Sequence, residues 1–389
     1  MPFLYALSIC CFAAALIIRC VDPVVPDIAR SFAAPPEQIA LLASAFAFPY
    51  ALSQPLLGPL GDAIGKARII KGCLAALTVA MVLCALAPTP ETLFAARIAA
   101  GLAAGGTVPV SLAMVGDRVA IENRQVALSR LLMAMLTGQL AGALGAGVIG
   151  HAFGWRAVMW IGSAIILAAT FVAFLTLAPR KAAERKPFSL ISIRDGYALV
   201  FANPRAKICY GAVFVGGICM FGILPHVATL LESRAAGSIR EAGFVIAGMA
   251  IGGVIYTLAI RKILAALGGQ MNMIRAGGLI AACGFALATL PLTWPQEMVA
   301  FAVIGVGFYM VHNSLQTQAT ELAPTARGAA VSLHAFSFFL GQAAGPPLFG
   351  IGINSLGPAA TLTVAAAAMA LLGVALATML TRASVEKPA

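Results

Sequence analysis

Residues 3–25 read FLYALSICCFAAALIIRCVDPVV, an apolar run that is interrupted by charge only near its end, at Arg19 and Asp22. A bilayer core about 30 Å thick requires roughly 20 apolar residues in helical conformation. The run is therefore long enough to cross a membrane. Eleven further apolar stretches follow it, at residues 39–60, 69–86, 93–115, 126–149, 158–178, 208–231, 242–260, 271–290, 299–319, 329–351 and 359–380.

The composition of the chain favours the same fold class. Hydrophobic residues make up 61% of the 389 residues and charged residues only 10%, with a mean hydropathy of +0.96. A soluble domain carries about 25% charged residues, so this chain cannot cover a water-facing surface. The apolar runs are continuous rather than alternating, which favours helices over barrel strands. We predict an all-α membrane protein with twelve transmembrane helices.

The net charge of +11 follows the predicted topology. An even number of spans places both termini on one side, and 19 of the 25 Lys and Arg residues lie on that side. The opposite loops hold four, and Arg19 and Arg97 fall inside spans. The positive-inside rule then places both termini in the cytoplasm, as in a multi-pass protein of a bacterial inner membrane. Since the charge encodes topology, no nucleic-acid partner is expected.

The chain lacks the sequence signs of an enzyme. Its eight cysteines are scattered among the spans without a CxxC pair or a metal-ligand cluster, and no nucleotide-binding loop is present. We therefore expect no catalytic residues, no metal and no cofactor, and the lipid bilayer as a partner.

The chain is predicted to consist of two related halves. The longest polar stretch, residues 179–207, separates six spans in residues 1–178 from six in residues 208–389. A Gly-Gln-x-Ala-Gly pattern occurs in each half, 203 residues apart: Gly138, Gln139 and Gly142 in the first half and Gly341, Gln342 and Gly345 in the second. Parallel repeats of six spans are typical of transporters that work by alternating access. We predict two pseudo-symmetric six-helix bundles.

The loop after the second span carries a second pattern, GPLGDAIGKAR at residues 58–68. It resembles the signature loop of the major facilitator superfamily through four matching residues and a following base: Gly58, Asp62, Gly65, Lys66 and Arg68. In that family the acid matched by Asp62 helps to hold the cytoplasmic ends of the halves together in one conformation. Ala63 and Ala67 replace two usual basic residues, so this latch is expected to be weaker.

Two helix-packing motifs extend the resemblance. Arg97, Gly101 and Gly105 match a family motif of the fourth span, whose glycines allow close approach of a neighbouring helix. Five glycines and one proline of the fifth and eleventh spans resemble the motif of the family's antiporters: Gly138, Gly142, Gly145, Gly341, Gly345 and Pro346. The resemblance implies the twelve-span branch that exports drugs or metabolites in exchange for protons, with the proton gradient as energy source. The partners that it implies are a small-molecule substrate and protons, and the expected state is a monomer. Tight packing alone explains the glycines equally well.

The resemblance further implies that spans one, four, seven and ten line a central cavity. Arg19, Asp22 and Arg97 lie at similar depth in the first and fourth spans, so they can form one network. Asp22 is the only acid that we place inside a span, which makes it the first candidate for the proton carrier. A purely structural ion pair is the alternative. Pro23 and Pro26 should interrupt the first helix beside it.

The tenth span contributes Tyr309, His312, Asn313 and Gln316 to the candidate cavity. His312 shares a helix face with Gln316, and histidine titrates near neutrality. Hydrogen bonding between helices explains these residues as well. Four more residues are candidates either for substrate contact or for packing: His226, Gln54, Gln139 and Gln342.

Three functions are compatible with these patterns. The first is proton-coupled export of small drugs or metabolites. The second is proton-coupled uptake of an organic anion, which the two intramembrane arginines against one acid favour. The third is a channel or a non-transporting sensor, against which the two-half repeat argues. Residue patterns do not identify the substrate.

Overall fold

The structure, a computed structural model, describes residues 2–178 and 189–385, which are helical almost throughout. Eleven helical segments are long and apolar enough to cross a membrane: Pro2–Phe32, Pro36–Leu57, Ala63–Leu86, Pro90–Arg118, Val126–Phe153, Trp155–Thr176, Arg205–Ser233, Ile239–Leu267, Trp294–Leu322, Pro324–Leu356 and Pro358–Thr381. The predicted ninth span forms the helix Gln270–Leu287. Gln270, Asn272 and Arg275 in its first turns make it less apolar than the others. The prediction of twelve transmembrane helices is confirmed.

Because the number of spans is even, both termini lie on one side of the molecule. We call this the terminal side, and the opposite side, reached by the loops after odd-numbered spans, the distal side. The first span runs from the terminal to the distal side, and the fourth and tenth run back.

The first and seventh spans are interrupted at equivalent places. The first consists of helices Pro2–Arg19 and Val25–Phe32 around a 3₁₀ turn at Asp22–Val24. The seventh consists of Arg205–Gly222 and Val227–Ser233 around a turn at Leu224–His226. Each turn contains a proline, Pro23 or Pro225, which lacks the N–H that a continuous helix needs. The first interruption lies where the prolines predicted it.

The repeated glycines explain why the two halves share one packing. A Cβ atom added at Gly138 would collide with the carbonyl oxygen of Phe12 in the first span, and one at Gly341 with the carbonyl of Phe214 in the seventh. The fifth span (helix Ile121–Phe153) therefore packs on the first as the eleventh (helix Arg327–Leu356) packs on the seventh. Two pseudo-symmetric six-helix bundles result.

Among the described residues the halves meet along several pairs of spans, including the following three. The second span packs against the eleventh, where the Ser332 hydroxyl donates a hydrogen bond to the Gln54 carbonyl at 2.8 Å. The fifth packs against the eighth, with Gly147 and Gly243 in backbone contact near the distal side. The broken segments of the first and seventh spans also touch. Because these pairs cross from one bundle to the other, they are the surfaces along which the bundles can move.

The segment predicted as a linker, residues 179–207, is partly helical. Residues 179–188 lie outside the described residues, and Leu190–Phe201 forms a helix. Val200 is fully buried, and the Tyr197 hydroxyl donates to the Pro55 carbonyl of the second span at 2.9 Å. This helix therefore connects the second half to the first on the terminal side.

Candidate functional site

A buried ion pair lies at the interruption of the first span. The helix ends at Arg19, and Asp22 begins the 3₁₀ turn, so the two side chains meet across the gap. The Arg19 Nη1 atom donates to Asp22 Oδ2 at 3.0 Å, with side chains only 5% and 1% exposed. Charges removed from water to this degree persist only when they are paired or neutralised.

Arg97 of the fourth span adds a second positive charge to this pair. Its side chain is 0% exposed, and its guanidinium lies over the Phe46 ring, 4.4 Å from the centroid. It is close enough to Arg19 and Asp22 to interact with both electrostatically. The structure thus brings together the three charged residues that the sequence placed at similar depth.

Several polar atoms of this network are not hydrogen-bonded. Within the described residues, Asp22 Oδ1, Arg19 Nε, and both Nε and Nη1 of Arg97 are buried without a partner. A buried polar group without a partner costs about 1–3 kcal/mol, and a charged one more. The network can therefore accept a proton on the acid and an anionic group on Arg97.

The network lies against the second half of the molecule. The Arg19 guanidinium stacks on the ring of Phe221 in the seventh span, 4.5 Å from the centroid. Tyr309 of the tenth span is also within electrostatic range of Arg19. Movement between the bundles would therefore change the surroundings of the ion pair.

The tenth-span candidates fall into two groups. His312 is half-buried and stacks on Phe308, with ring centroids 5.1 Å apart, while Tyr309 packs against Gly253. Asn313 is half-buried as well, one turn beyond Tyr309. Gln316, which shares its helix face with His312 in sequence, is exposed. The structure thus places the first three toward the protein interior and leaves Gln316 exposed on the surface of the span.

Two of the other polar candidates bind backbone carbonyls of neighbouring spans. The Gln54 amide donates to the Gly105 carbonyl at 3.0 Å, and His226 Nε2–H donates to the Pro346 carbonyl at 3.0 Å. Gln342 is buried and Gln139 half-buried. Gln54 and His226 are thereby occupied in holding helices together.

The loop motif is described only in part. Gly58 lies in the helix Leu42–Leu60, and the backbone forms a π-helical turn over Gly61–Gly65, whereas the side chain of Asp62 lies outside the described part of the structure. Gly65 has φ +110°, which favours glycine. Lys66 forms an ion pair of 2.6 Å with Asp117 at the end of the fourth span. Arg68 is exposed.

Most of the motif glycines contact a neighbouring helix. Gly101 lies against the Phe46 carbonyl and Gly105 against Ser53, both in the second span. Gly142 and Gly345 lie against backbone of the first and seventh spans, respectively. Gly145 meets only the tip of Ile149, so close packing does not explain it.

The expectation that Asp22 is the only acid within a span is wrong. The tenth helix begins at Trp294 rather than near residue 299, because Thr293 caps it, and this start includes Glu297. Glu297 is 3% exposed and bonded to Arg234 at 2.5 Å. Its direct partner and its place in the first turn indicate a structural ion pair at the distal side.

Sequence reasoning also missed His334 of the eleventh span. Its ring lies 5.1 Å from that of His312, and both of its nitrogens are buried without a partner in the described structure. A histidine inside an apolar span was a signal that could have identified it. Among the described residues there is no cluster of three or more His, Cys, Asp or Glu able to hold a metal ion.

Residues 7–346 match the model of the Major Facilitator Superfamily. The chain belongs to this superfamily. It is 23% identical to multidrug resistance protein 1 of Bacillus subtilis, over 91% of each chain, and 24% identical to the gentisate transporter of Corynebacterium glutamicum, over 79% of this chain and 72% of the relative. The human organic anion transporter MFSD10 has the same fold, with a TM-score of 0.75 at 17% identity, covering 96% of this chain and 99% of that one.

Membership of the superfamily fixes the general class of activity. Its members with named activities among the relatives of this chain are transporters. The chain is therefore a membrane transporter of small molecules and not an enzyme, as predicted. The Arg19–Asp22 pair lies where the two bundles meet, against Phe221 of the second half.

Proposed function

We propose that this transporter exports a small organic molecule in exchange for protons, and that Asp22 carries the proton. The observation behind this proposal is the buried Arg19–Asp22 pair, which lies beside Arg97 and against Phe221 of the opposite half. In alternating access one bundle rocks against the other. An acid that lies between the two bundles therefore changes its neighbouring groups in every transport cycle.

The chemistry of the exchange follows from the pairing. Ionised Asp22 accepts a hydrogen bond from Arg19 and has a second oxygen, Oδ1, without a partner in the described structure, so a substrate donor that binds the ionised acid competes with the proton. Substrate and proton therefore alternate at one network, and release of one promotes binding of the other. The unpartnered N–H groups of Arg97 provide a second place for a polar substrate group. The proton gradient supplies the energy, and no cofactor takes part.

Export is supported by the relative named a multidrug resistance protein, which aligns over 91% of the chain. The glycine motif of the fifth and eleventh spans also favours export. We propose residues 1–178 and 208–389 as the moving halves, the plasma membrane of a bacterial cell as the location, and a monomer as the working unit.

The proposed topology has both termini and the segment 179–207 in the cytoplasm. Reporter fusions truncated after Ala202 and after Ala235 test it, because Ala202 follows the helix Leu190–Phe201 and Ala235 lies in the distal loop after the seventh span. The first fusion should report cytoplasm and the second the exterior. The reverse pattern would invert the topology.

Direction and coupling are tested together in proteoliposomes made with the purified full-length chain and a panel of organic acids, amines and neutral aromatics. A proton antiporter accumulates its substrate in vesicles with an acidic interior, whereas a symporter accumulates it when the exterior is acidic. We expect accumulation with an acidic interior. If neither pH gradient changes the flux of any transported compound, proton coupling is refuted.

Uptake of an organic anion is the second candidate. Two buried guanidinium groups face one carboxylate, and two N–H groups of Arg97 have no partner in the described structure. The relative named as a gentisate transporter also supports this candidate. Accumulation of an organic acid with an acidic exterior would select it over export.

A further inference from the structure

His334 is a buried histidine whose two ring nitrogens contribute no hydrogen bond to the described structure. It is 2% exposed, and neither Nδ1 nor Nε2 has a hydrogen-bond partner in the described residues. Buried polar groups in proteins are nearly always bonded, and exceptions call for an explanation. A leucine would fill the same space without the loss of solvation. The imidazole is therefore a candidate to bind something that the chain itself does not provide.

The surroundings of His334 are aromatic. His312 lies beside it with ring centroids 5.1 Å apart, and His312 in turn packs on Phe308 at 5.1 Å and Phe338 at 4.6 Å. His312 and Phe338 are only half-buried, so this set of rings has an accessible face. We call Phe308, His312, His334 and Phe338 the aromatic cluster.

The cluster is connected to the charged network through one ring. Phe221 contacts Phe308 and Phe338, with centroids 5.8 and 5.4 Å away, and it also lies under the Arg19 guanidinium. Positive charge therefore lies at one end of a series of aromatic rings and an unbonded imidazole at the other. This arrangement belongs to neither half alone, because Arg19 comes from the first and the rings from the second.

We propose that the aromatic cluster binds the planar ring of an aromatic substrate, with a ring hydroxyl bonded to His334. This assignment rests on the proposed function, since it names the substrate class of the same transporter. Offset and edge-to-face packing on Phe338 and His312 favours a planar ring over a saturated one. A neutral imidazole offers one donor and one acceptor, which suits a hydroxyl group.

Other ligand classes fit these contacts less well. An organic cation would face two buried guanidinium groups, and like charges disfavour its binding. A transition metal would find two imidazoles but no third ligand among the described residues. A purely aliphatic acid would gain no ring packing from the cluster and would leave His334 unbonded.

Equilibrium binding to the purified full-length transporter tests the assignment with three probes of equal charge: 3-hydroxybenzoate, benzoate and cyclohexanecarboxylate. We expect the wild type to bind them in that order, with steps of about three- to tenfold from the hydroxyl bond and from ring packing. His334→Phe keeps a flat ring and should abolish the advantage of 3-hydroxybenzoate over benzoate. Phe338→Leu should instead abolish the advantage of benzoate over cyclohexanecarboxylate.

Two further variants test whether the lost preference in His334→Phe results from misfolding rather than from loss of the imidazole. His334→Gln retains a donor and an acceptor and should restore part of the preference for the hydroxyl group. His151→Phe changes an exposed histidine at the distal side and should leave all three affinities unchanged. Equal binding of benzoate and cyclohexanecarboxylate to the wild type, or an unchanged hydroxyl preference in His334→Phe, would overturn the assignment.

The outcome is separable from that of the proposed function. If the ring and hydroxyl preferences appear but a pH gradient drives no transport, the coupling mechanism fails and the aromatic subsite stands. If a pH gradient drives transport of other compounds and none of the aromatic acids binds, the subsite is refuted and the coupling mechanism stands.

Discussion

The first and seventh spans are the same interrupted helix with different chemistry at the interruption. Three residues before the 3₁₀ turn the first span has Arg19 and the seventh has Phe221, and at the start of the turn Asp22 corresponds to Leu224. The seventh span shows that the interruption forms without any charge. The interruption itself therefore needs no ion pair, and the presence of the Arg19–Asp22 pair in one half only supports the proposed role in transport.

The helix packing, in contrast to the charged pair, is the same in both halves. Gly138 and Gly341 contact equivalent carbonyl groups of the first and seventh spans, so this part of the repeat is retained in both halves. The packing glycines are duplicated, whereas the Arg19–Asp22 pair is not. The two kinds of residue should respond differently to substitution.

The largest expected effect comes from separating the ion pair. Arg19→Leu leaves the carboxyl group of Asp22, which is 1% exposed, without its counter-ion, and loss of one partner from a buried pair destabilises by about 3–5 kcal/mol. The double variant Arg19→Met with Asp22→Leu gives the first span an uncharged interruption like that of the seventh. It should recover most of the thermal stability and still fail to couple transport to protons. Thermal unfolding in detergent provides the measurement, and a double variant as unstable as Arg19→Leu would show that the pair is needed for folding.

An intermediate effect is expected from the shared glycines. Gly138→Ala and Gly341→Ala each force a methyl group against a backbone carbonyl, and overpacking of this kind costs about 1–3 kcal/mol. The two variants should lower the unfolding temperature by similar amounts. Gly72→Ala and Gly211→Ala are matched controls, since nothing lies within 4 Å of a Cβ atom at either position, and they should be neutral or stabilising. A loss of stability in one half alone would contradict the repeat.

The smallest effect is expected from an exposed contact between the same two spans. Arg30 pairs with Glu232 at 3.0 Å on the distal side, with side chains 58% and 31% exposed. Such surface pairs contribute about 0–1 kcal/mol. Arg30→Gln should shift the population open on the distal side by less than about fivefold, as measured by cysteine labelling near this contact. Exchange of the two charges, Arg30→Glu with Glu232→Arg, should restore the original labelling, and a much larger shift would assign this pair a gating role.

The sequence was sufficient to predict the fold because apolar length and repetition determine it. Twelve runs of adequate length predicted the twelve helices, and the Gly-Gln-x-Ala-Gly repeat predicted two related halves. Helix ends were less predictable, since Thr293 caps the tenth helix early enough to include Glu297. The helix Leu190–Phe201 was not predicted, because it lies within a segment that is polar overall. Its contacts with the rest of the protein come from Tyr197 and Val200, which share one side of the helix.

The site was predictable where charge was unusual for its surroundings. Arg19, Asp22 and Arg97 are conspicuous in apolar runs, and the structure brings them together. The stacking of Arg19 on Phe221 was not predictable, because it depends on how two bundles 200 residues apart in sequence meet. Predicting His334 as part of the site would have required knowing which face of the eleventh span points toward His312.

The central claim is that Asp22 carries the proton that couples transport to the gradient. Asn at this position keeps the shape and the hydrogen-bonding capacity but cannot titrate. The most direct measurement compares wild type and Asp22→Asn in proteoliposomes by two assays of one substrate, accumulation driven by a pH gradient and exchange of labelled for unlabelled substrate. Exchange needs only the movement of the loaded transporter, whereas accumulation needs the proton.

We expect Asp22→Asn to retain exchange within about threefold of the wild-type rate and to lose accumulation driven by the pH gradient. Accumulation at the wild-type rate in Asp22→Asn would show that another group carries the proton, and His312 would then be the next candidate.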